Sequence, residues 1–308
     1  MRMFLVDGNP KGIVTAEIMN WSGHALSAPR ERLPEVLQRP EAKRTGVYFL
    51  FGDPLDASGR REVYVGESDD VGKRLAQHSK SDEKDFFESF CIVTSKDQNL
   101  TKAHARHLEN RLTELAKSAG RSIVLNRIEP TQGVLPESDV SDMEFFRAQV
   151  EIILPVLGYD ILRASAASRL AKSESEDEVE PAFSTAGAAS TALALRLRAA
   201  QRGMAAEAVL VDGEVVVRAG STADAKPDHA SNPVENLRNS LVEDGSLADD
   251  PASGGNLLRF MRDVSFSSPS QAAAVIYGRN VNGRTSWRLK EGGQTLKEYQ
   301  VSLTEDVE

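Results

Sequence analysis

Residues 45–95 read TGVYFLFGDPLDASGRREVYVGESDDVGKRLAQHSKSDEKDFFESFCIVTS. Two runs of β-branched and aromatic residues, GVYFLF and EVYVG, flank GDPLDASGRR, whose Gly52, Pro54 and Gly59 are turn formers. The pattern predicts an antiparallel hairpin with a long loop. A short helix is expected over 70–79, and FCIVTS predicts a third strand over 90–95. Alternate side chains of a strand share a face, so Val47, Phe49 and Phe51 are expected in the core while Tyr48 points the other way. Tyr64 likewise opposes Val63 and Val65. Adjacent antiparallel strands in a suitable register then carry both phenols on one face.

Outward from this stretch, a helix is predicted from Asn99 or Thr101, with Leu108, Leu112, Leu115 and Ala119 at three- and four-residue spacing and Gly120 as its C-cap. A second helix is predicted from Ser141 to Leu157, opened by a Ser141–Glu144 capping box and apolar along Met143, Phe146, Val150 and Ile153. Residues 1–44 carry short apolar runs, FLV and IVTAEI, around an Asn9-Pro10 turn, and are expected to form a small β appendage. KSESEDEVEP, from Lys172, is acidic enough to stay solvated and is expected to link two halves. Beyond it, Leu193, Leu195 and Leu197 alternate, VLVDGEVVV predicts a hairpin at Asp212-Gly213, and SNPVENLRNSL and SSPSQAAAVIYG predict capped helices. Asn282-Gly283 is expected to turn into a strand carrying Trp287. The expected fold class is α+β: a small three-stranded antiparallel sheet flanked by helices, then a separate α+β C-terminal domain. The expected divisions are 1–44, 45–130, a helical extension over 131–170, a linker over 171–186, and 187–308.

The chain has 308 residues and a net charge of −9. That sign disfavours phosphate binding by the chain as a whole. Five of the acids lie in one tract, Glu174, Glu176, Asp177, Glu178 and Glu180, and between Arg44 and Pro130 the 14 basic and 14 acidic residues balance. Any basic groove is therefore local. No apolar run has the length of a membrane helix, the start lacks a secretory signal, and the single cysteine, Cys91, fits a reducing compartment. A soluble cytoplasmic protein is expected.

The chemistry-bearing residues keep a fixed order: Tyr48 on the first strand, Tyr64 on the second, Arg74 and His78 on the following helix, Glu109 on the long helix, and Asn126 after it. Arg74 and His78, four apart, share a helix side. A guanidinium fork binds phosphate oxygens, and an imidazole beside it transfers or positions a proton. Glu109 lies next to the apolar stripe of its helix, so its carboxylate is expected at the edge of the sheet. One carboxylate holds Mg²⁺ when water and phosphate oxygens complete the shell.

With Gly46-Val47-Tyr48 and Tyr64-Val65-Gly66, this order resembles the GIY-YIG nuclease superfamily over roughly Thr45 to Pro130. The resemblance implies a divalent-metal-dependent endonuclease acting on DNA, with Mg²⁺ or Mn²⁺ as cofactor. It implies that Tyr48, Tyr64, Arg74, His78 and Glu109 form the active site, with Glu109 as the metal ligand and Asn126 shaping it. Either Tyr48 or His78 is then the general base. The loop between the tyrosine motifs is longer than the family's common form, and Glu67 adds a negative charge beside the second motif. The competing reading is a non-catalytic nucleic-acid-binding or interaction protein on the same fold.

Other candidates carry less. His104 and His107 have no partners at zinc spacing and read as exposed polar side chains. Cys91, inside an apolar strand, reads as a small hydrophobe. The segment from about Asn232 to Tyr299 resembles a domain of unknown function that recurs behind GIY-YIG domains. Its Arg259, Arg262, Arg279, Arg284 and Arg288, with Trp287, read as ordinary surface more readily than as a DNA-contacting face.

Overall fold

A computed structural model describes residues 1–54, 60–97, 99–126, 135–175, 192–226 and 233–305. The expected loop at 55–59, the acidic tract from Glu176 and the cap at Ser231-Asn232 lie outside the described residues. The described residues up to Ala164 cluster as one unit and those from Ser165 as another. No helix among the described residues is long and apolar enough to cross a membrane.

The first unit runs β1 (Arg2–Leu5), β2 (Val14–Glu17), β3 (Gly23–Pro29), α1 (Leu33–Val36), β4 (Gly46–Pro54), β5 (Arg61–Ser68), α2 (Val71–His78), β6 (Ser89–Ser95), α3 (Lys102–Ala119), β7 (Ile123–Val124) and α4 (Glu137–Val156). Its strands form one seven-stranded sheet in the order β1-β2-β3-β6-β4-β5-β7. The three expected strands are therefore the middle of a larger sheet. Residues 1–44 are no appendage, because β3 pairs with β6 from Gly23↔Ser95 to Pro29↔Ser89. β7 adds to the other edge, parallel to β5, at Glu62↔Ile123 and Val63↔Val124.

Both faces of the central strands are buried. Val47, Phe49, Phe51, Val63 and Val65 pack against Ala105, Leu108 and Leu112 of α3 and Phe146, Val150 and Ile153 of α4. The opposite face, with Tyr48, Leu50, Leu26 and Ile92, packs against Val36 of α1 and Val71 and Leu75 of α2. The α3 helix begins at Thr101, whose side chain accepts from the His104 N–H, and ends at Gly120 in the left-handed conformation. α4 begins at Glu137, one turn before the expected capping box. Its entry follows Pro136, and Asp139 of its first turn bonds His104 on α3. Ser141 is thus inside the helix.

The second unit runs α5 (Ala166–Ser175), β8 (Leu193–Ala199), β9 (Met204–Val211), β10 (Glu214–Val217), β11 (Thr222–Asp224), α6 (Pro233–Glu243), β12 (Leu247–Asp249), β13 (Leu257–Phe260), β14 (Val264–Phe266), α7 (Pro269–Tyr277), α8 (Gly283–Ser286), β15 (Arg288–Leu289) and α9 (Leu296–Glu305). Five strands order as β14-β10-β9-β8-β15 and three as β11-β13-β12. The β9–β10 hairpin turns at Asp212-Gly213, both at positive φ, as a tight antiparallel turn requires. Residues 171–175, expected to open the linker, instead close α5, whose start is held by Ala166 N–H to Glu214 and Ala167 N–H to Ser265. Trp287 does not ride a strand: Asn282 caps α8, and the wholly buried indole follows it, donating to the Pro269 carbonyl at 3.0 Å.

Candidate active site at the edge of strand β5

The ladder between β4 and β5 pairs Tyr48 with Gly66 and Leu50 with Tyr64. The phenols therefore share a face, offset diagonally, with ring centroids 6.2 Å apart. Gly66 has a steric role, since a Cβ there would overlap Cζ and Oη of Tyr48. The missing side chain is what leaves room for the phenol against β5.

His78 is the last residue of α2 and is buried. Its Nε2 lies 2.7 Å from the Tyr48 hydroxyl, and its ring meets that of Tyr64 edge-on at 5.7 Å. Arg74, one turn earlier on α2, donates to the Gln77 side chain at 3.1 Å, and its positive charge acts on Tyr48. Asp70 starts this helix by accepting from the Lys73 N–H, so one local cap sets the positions of both Arg74 and His78.

Burial dominates the titration of the cluster. It holds the Tyr48 phenol well above its ordinary value, with the neighbouring Tyr64 adding to the rise and Arg74 opposing it. Tyr64 is also raised, by burial and then by the charge of Glu109. Burial lowers His78 to about 4, with the positive charges of Arg74 and Lys84 acting in the same direction. At neutral pH the pair is accordingly a neutral phenol and a neutral imidazole.

Glu109 projects from α3, half-buried, and its carboxyl is raised to about 7 by burial and by the neighbouring Glu67. Its charge is felt by Tyr48 and Tyr64, and the Arg74 guanidinium acts on it in turn. Glu67 keeps one carboxylate oxygen 3.8 Å from Arg106, while the other is buried without a hydrogen-bond partner. Two crowded acids, one with an unsatisfied buried oxygen, make a donor set that a divalent cation fits. Among the described residues there is no group of three or more His, Cys, Asp and Glu arranged to hold a metal.

Asn126 occupies a different place from the other five. Its Oδ1 accepts from the Val65 N–H at 3.0 Å and its Nδ2 donates to the Val65 carbonyl at 2.8 Å. The amide thus clamps the backbone of β5 beside Tyr64 and Gly66, which is a positioning role. Reading the sequence alone missed the steric role of Gly66, although the motif contained it. It also missed Lys84, whose Nζ lies 3.4 Å from the centroid of the Tyr64 ring. No periodicity or motif marks that lysine.

The remaining candidates lie apart from this cluster. His104 bonds Asp139 of α4 at 3.1 Å and so bridges two helices, while the His107 Nε2, buried without a hydrogen-bond partner, lies 3.6 Å from Glu144 of the same helix. Cys91 is wholly buried, and burial pushes its thiol up. In the second unit Arg259 pairs with Asp250, Arg262 with Asp244, and Arg284 with Gln300. A cleft of about 810 Å³ lined by Met3, Glu17, Met19, Trp21 and Lys96 includes none of the β5-edge residues.

Comparison with known proteins bears on the C-terminal part. Residues 196–300 match a family described as a domain of unknown function, DUF4357. The match begins earlier than the resemblance read from Asn232 and takes in the end of β8 and all of β9 to β11 as well. No curated protein and no solved structure matches the chain.

Proposed function

We propose that the first unit is a divalent-metal-dependent endonuclease of the GIY-YIG type, hydrolysing DNA phosphodiesters at the face of β5 that carries Tyr64. The observation that carries this reading is the convergence of Tyr48, Tyr64, Arg74, His78 and Glu109, from two strands and two helices, into one interacting cluster. Each residue alone is an ordinary packing or surface choice. Together they supply a proton acceptor, a phosphate-binding fork and a carboxylate.

Arg74 has the planar donor set for non-bridging phosphate oxygens. Burial keeps His78 unprotonated at neutral pH, and the contact of its Nε2 with the Tyr48 hydroxyl supports giving it the role of proton acceptor. Water attacking phosphorus passes a proton to the Tyr48 oxygen as the Tyr48 proton moves to Nε2 of His78, 2.7 Å away. A P–O bond forms, the bond to the leaving alkoxide breaks, and solvent returns the proton that the alkoxide takes. Glu109, with Glu67 beside it, would hold Mg²⁺ or Mn²⁺, which when bound supplies charge neutralisation at the phosphate. Asn126 keeps β5 in register with this chemistry.

The test is cleavage of labelled plain, nicked and branched DNA by the full chain with Mg²⁺ or Mn²⁺, beside Glu109→Ala and Tyr48→Phe. Cutting lost in both variants supports the proposal, and parallel RNA substrates report the nucleic acid preferred. Cutting that persists in both belongs to a contaminant. DNA binding with no cutting by the unaltered chain would favour a non-catalytic binding protein.

A further inference from the structure

Lys84 lies in the turn between α2 and β6, at the end of a short 3-10 helix over Asp82–Lys84. Its sequence neighbours Asp82, Glu83 and Asp85 are acidic, yet its ammonium lies over the Tyr64 ring, 3.4 Å from the centroid. Arg74, on the preceding helix, acts on the same buried His78 imidazole as Lys84, so the positive charges of both reach this cluster.

This placement is held from behind by Arg30. The Arg30 guanidinium donates to the carbonyls of Asp85 at 2.9 Å, Phe87 at 3.3 Å and Ser79 at 3.3 Å. It also pairs with the Asp85 carboxylate at 2.9 Å and stacks 4.5 Å above the Phe87 ring. The Arg30 N–H donates to the Glu88 carbonyl at 2.8 Å, and the Lys84 N–H to the Ser81 carbonyl at 3.0 Å. Both ends of the 79–88 segment are thus pinned to the start of the α1 region, and Phe87 is wholly buried beneath it. The ammonium is presented by a fixed backbone, on a chain whose overall charge is −9.

We infer that Lys84 binds a phosphate of the nucleic-acid backbone beside the Tyr64 ring, forming with Arg74 a two-cation cradle across the cluster. The inference rests on the nuclease reading. The two cations have different tasks: the Arg74 fork suits two oxygens of one phosphate, whereas an ammonium on a flexible stem serves as a point charge for a neighbouring one. Lys84 then sets affinity and register of the strand, with no share in proton transfer.

The experiment measures duplex binding by fluorescence anisotropy across a salt series, using the full chain carrying Glu109→Ala to prevent turnover. Adding Lys84→Gln is expected to weaken binding several-fold and to reduce the slope of log affinity against log salt by about 0.9, the value for one lost phosphate contact. Lys84→Arg is expected to keep the slope. Tyr64→Leu, which removes the ring but leaves the ammonium, should keep it too. An unchanged slope in Lys84→Gln would overturn the inference and leave Lys84 as mere support for the Tyr64 ring. If the Glu109→Ala parent binds neither duplex nor single strand at any salt, the nuclease reading itself fails, and the inference falls with it.

Discussion

Tyr48 and Gly66 are paired across β4 and β5, and the phenol fills the volume that any side chain on Gly66 would need. That glycine is therefore bound to the hydroxyl geometry through sterics. Gly66→Ala is expected to destabilise the fold by about 1–3 kcal/mol, the usual range for overpacking a filled core. The displaced hydroxyl would also lose its 2.7 Å contact with His78. Cleavage should fall far more than the population of folded protein, and comparing turnover with a thermal melt separates the two. Turnover unchanged in a folded Gly66→Ala variant would remove Tyr48 from the mechanism.

His78 makes a stability prediction with a definite sign. Its imidazole is lowered from 6.5 to about 4 in the folded chain, chiefly by burial. Between those values the unfolded chain carries a proton on His78 that the folded chain lacks, so stability falls as pH drops from 6.5 towards 4. The contribution is complete above 6.5 and flat again below 4. In His78→Gln that part of the slope should vanish. Urea midpoints for both proteins across the acid range measure it, and parallel curves would show that the imidazole is not held neutral by the fold.

How far such properties can be read from the sequence differs from residue to residue. The common face of Tyr48 and Tyr64 follows from the two-residue period of a strand, which is local. The pairing of β3 with β6 is not local. GHALSAP has small residues and a proline in place of the β-branched run that marks a strand, and both its faces are covered only after the chain has folded. The Ser141–Glu144 pattern fits a cap, while contact with His104 on a neighbouring helix lets α4 begin a turn earlier. Tertiary contact overrode a sound local signal. Lys84 depends on Arg30, which is remote in sequence and carries no motif, so no spacing rule connects them.

Asn126 offers a test of positioning as distinct from chemistry. Truncation to alanine leaves the Val65 N–H and carbonyl without their partners, which costs about 1–3 kcal/mol where water cannot replace them. The strand end beside Tyr64 and Gly66 would loosen. Asn126→Ala is expected to lower the melting temperature and reduce kcat, leaving divalent-metal affinity near that of the unaltered chain. Loss of metal binding equal to that in Glu109→Ala would instead make the amide part of the metal site.

Glu109 behaves with the opposite sign to His78. Its carboxyl is raised from 4.5 to about 7, by burial first and then by Glu67. The folded chain holds this proton after the unfolded chain has lost it, so stability is full below 4.5 and declines as pH rises through about 7. Glu109→Gln keeps the shape of the protonated acid and cannot ionise. The variant is therefore expected to melt higher than the unaltered chain at about pH 8, with the gap closing as pH falls below the folded value. A cation held by the ionised carboxylate works against that decline, because binding to the folded state alone stabilises it. Mn²⁺ should accordingly raise the melting temperature of the unaltered chain at alkaline pH and leave Glu109→Gln unmoved. Equal shifts in both proteins would place the ion elsewhere and separate this carboxylate from any metal-assisted step.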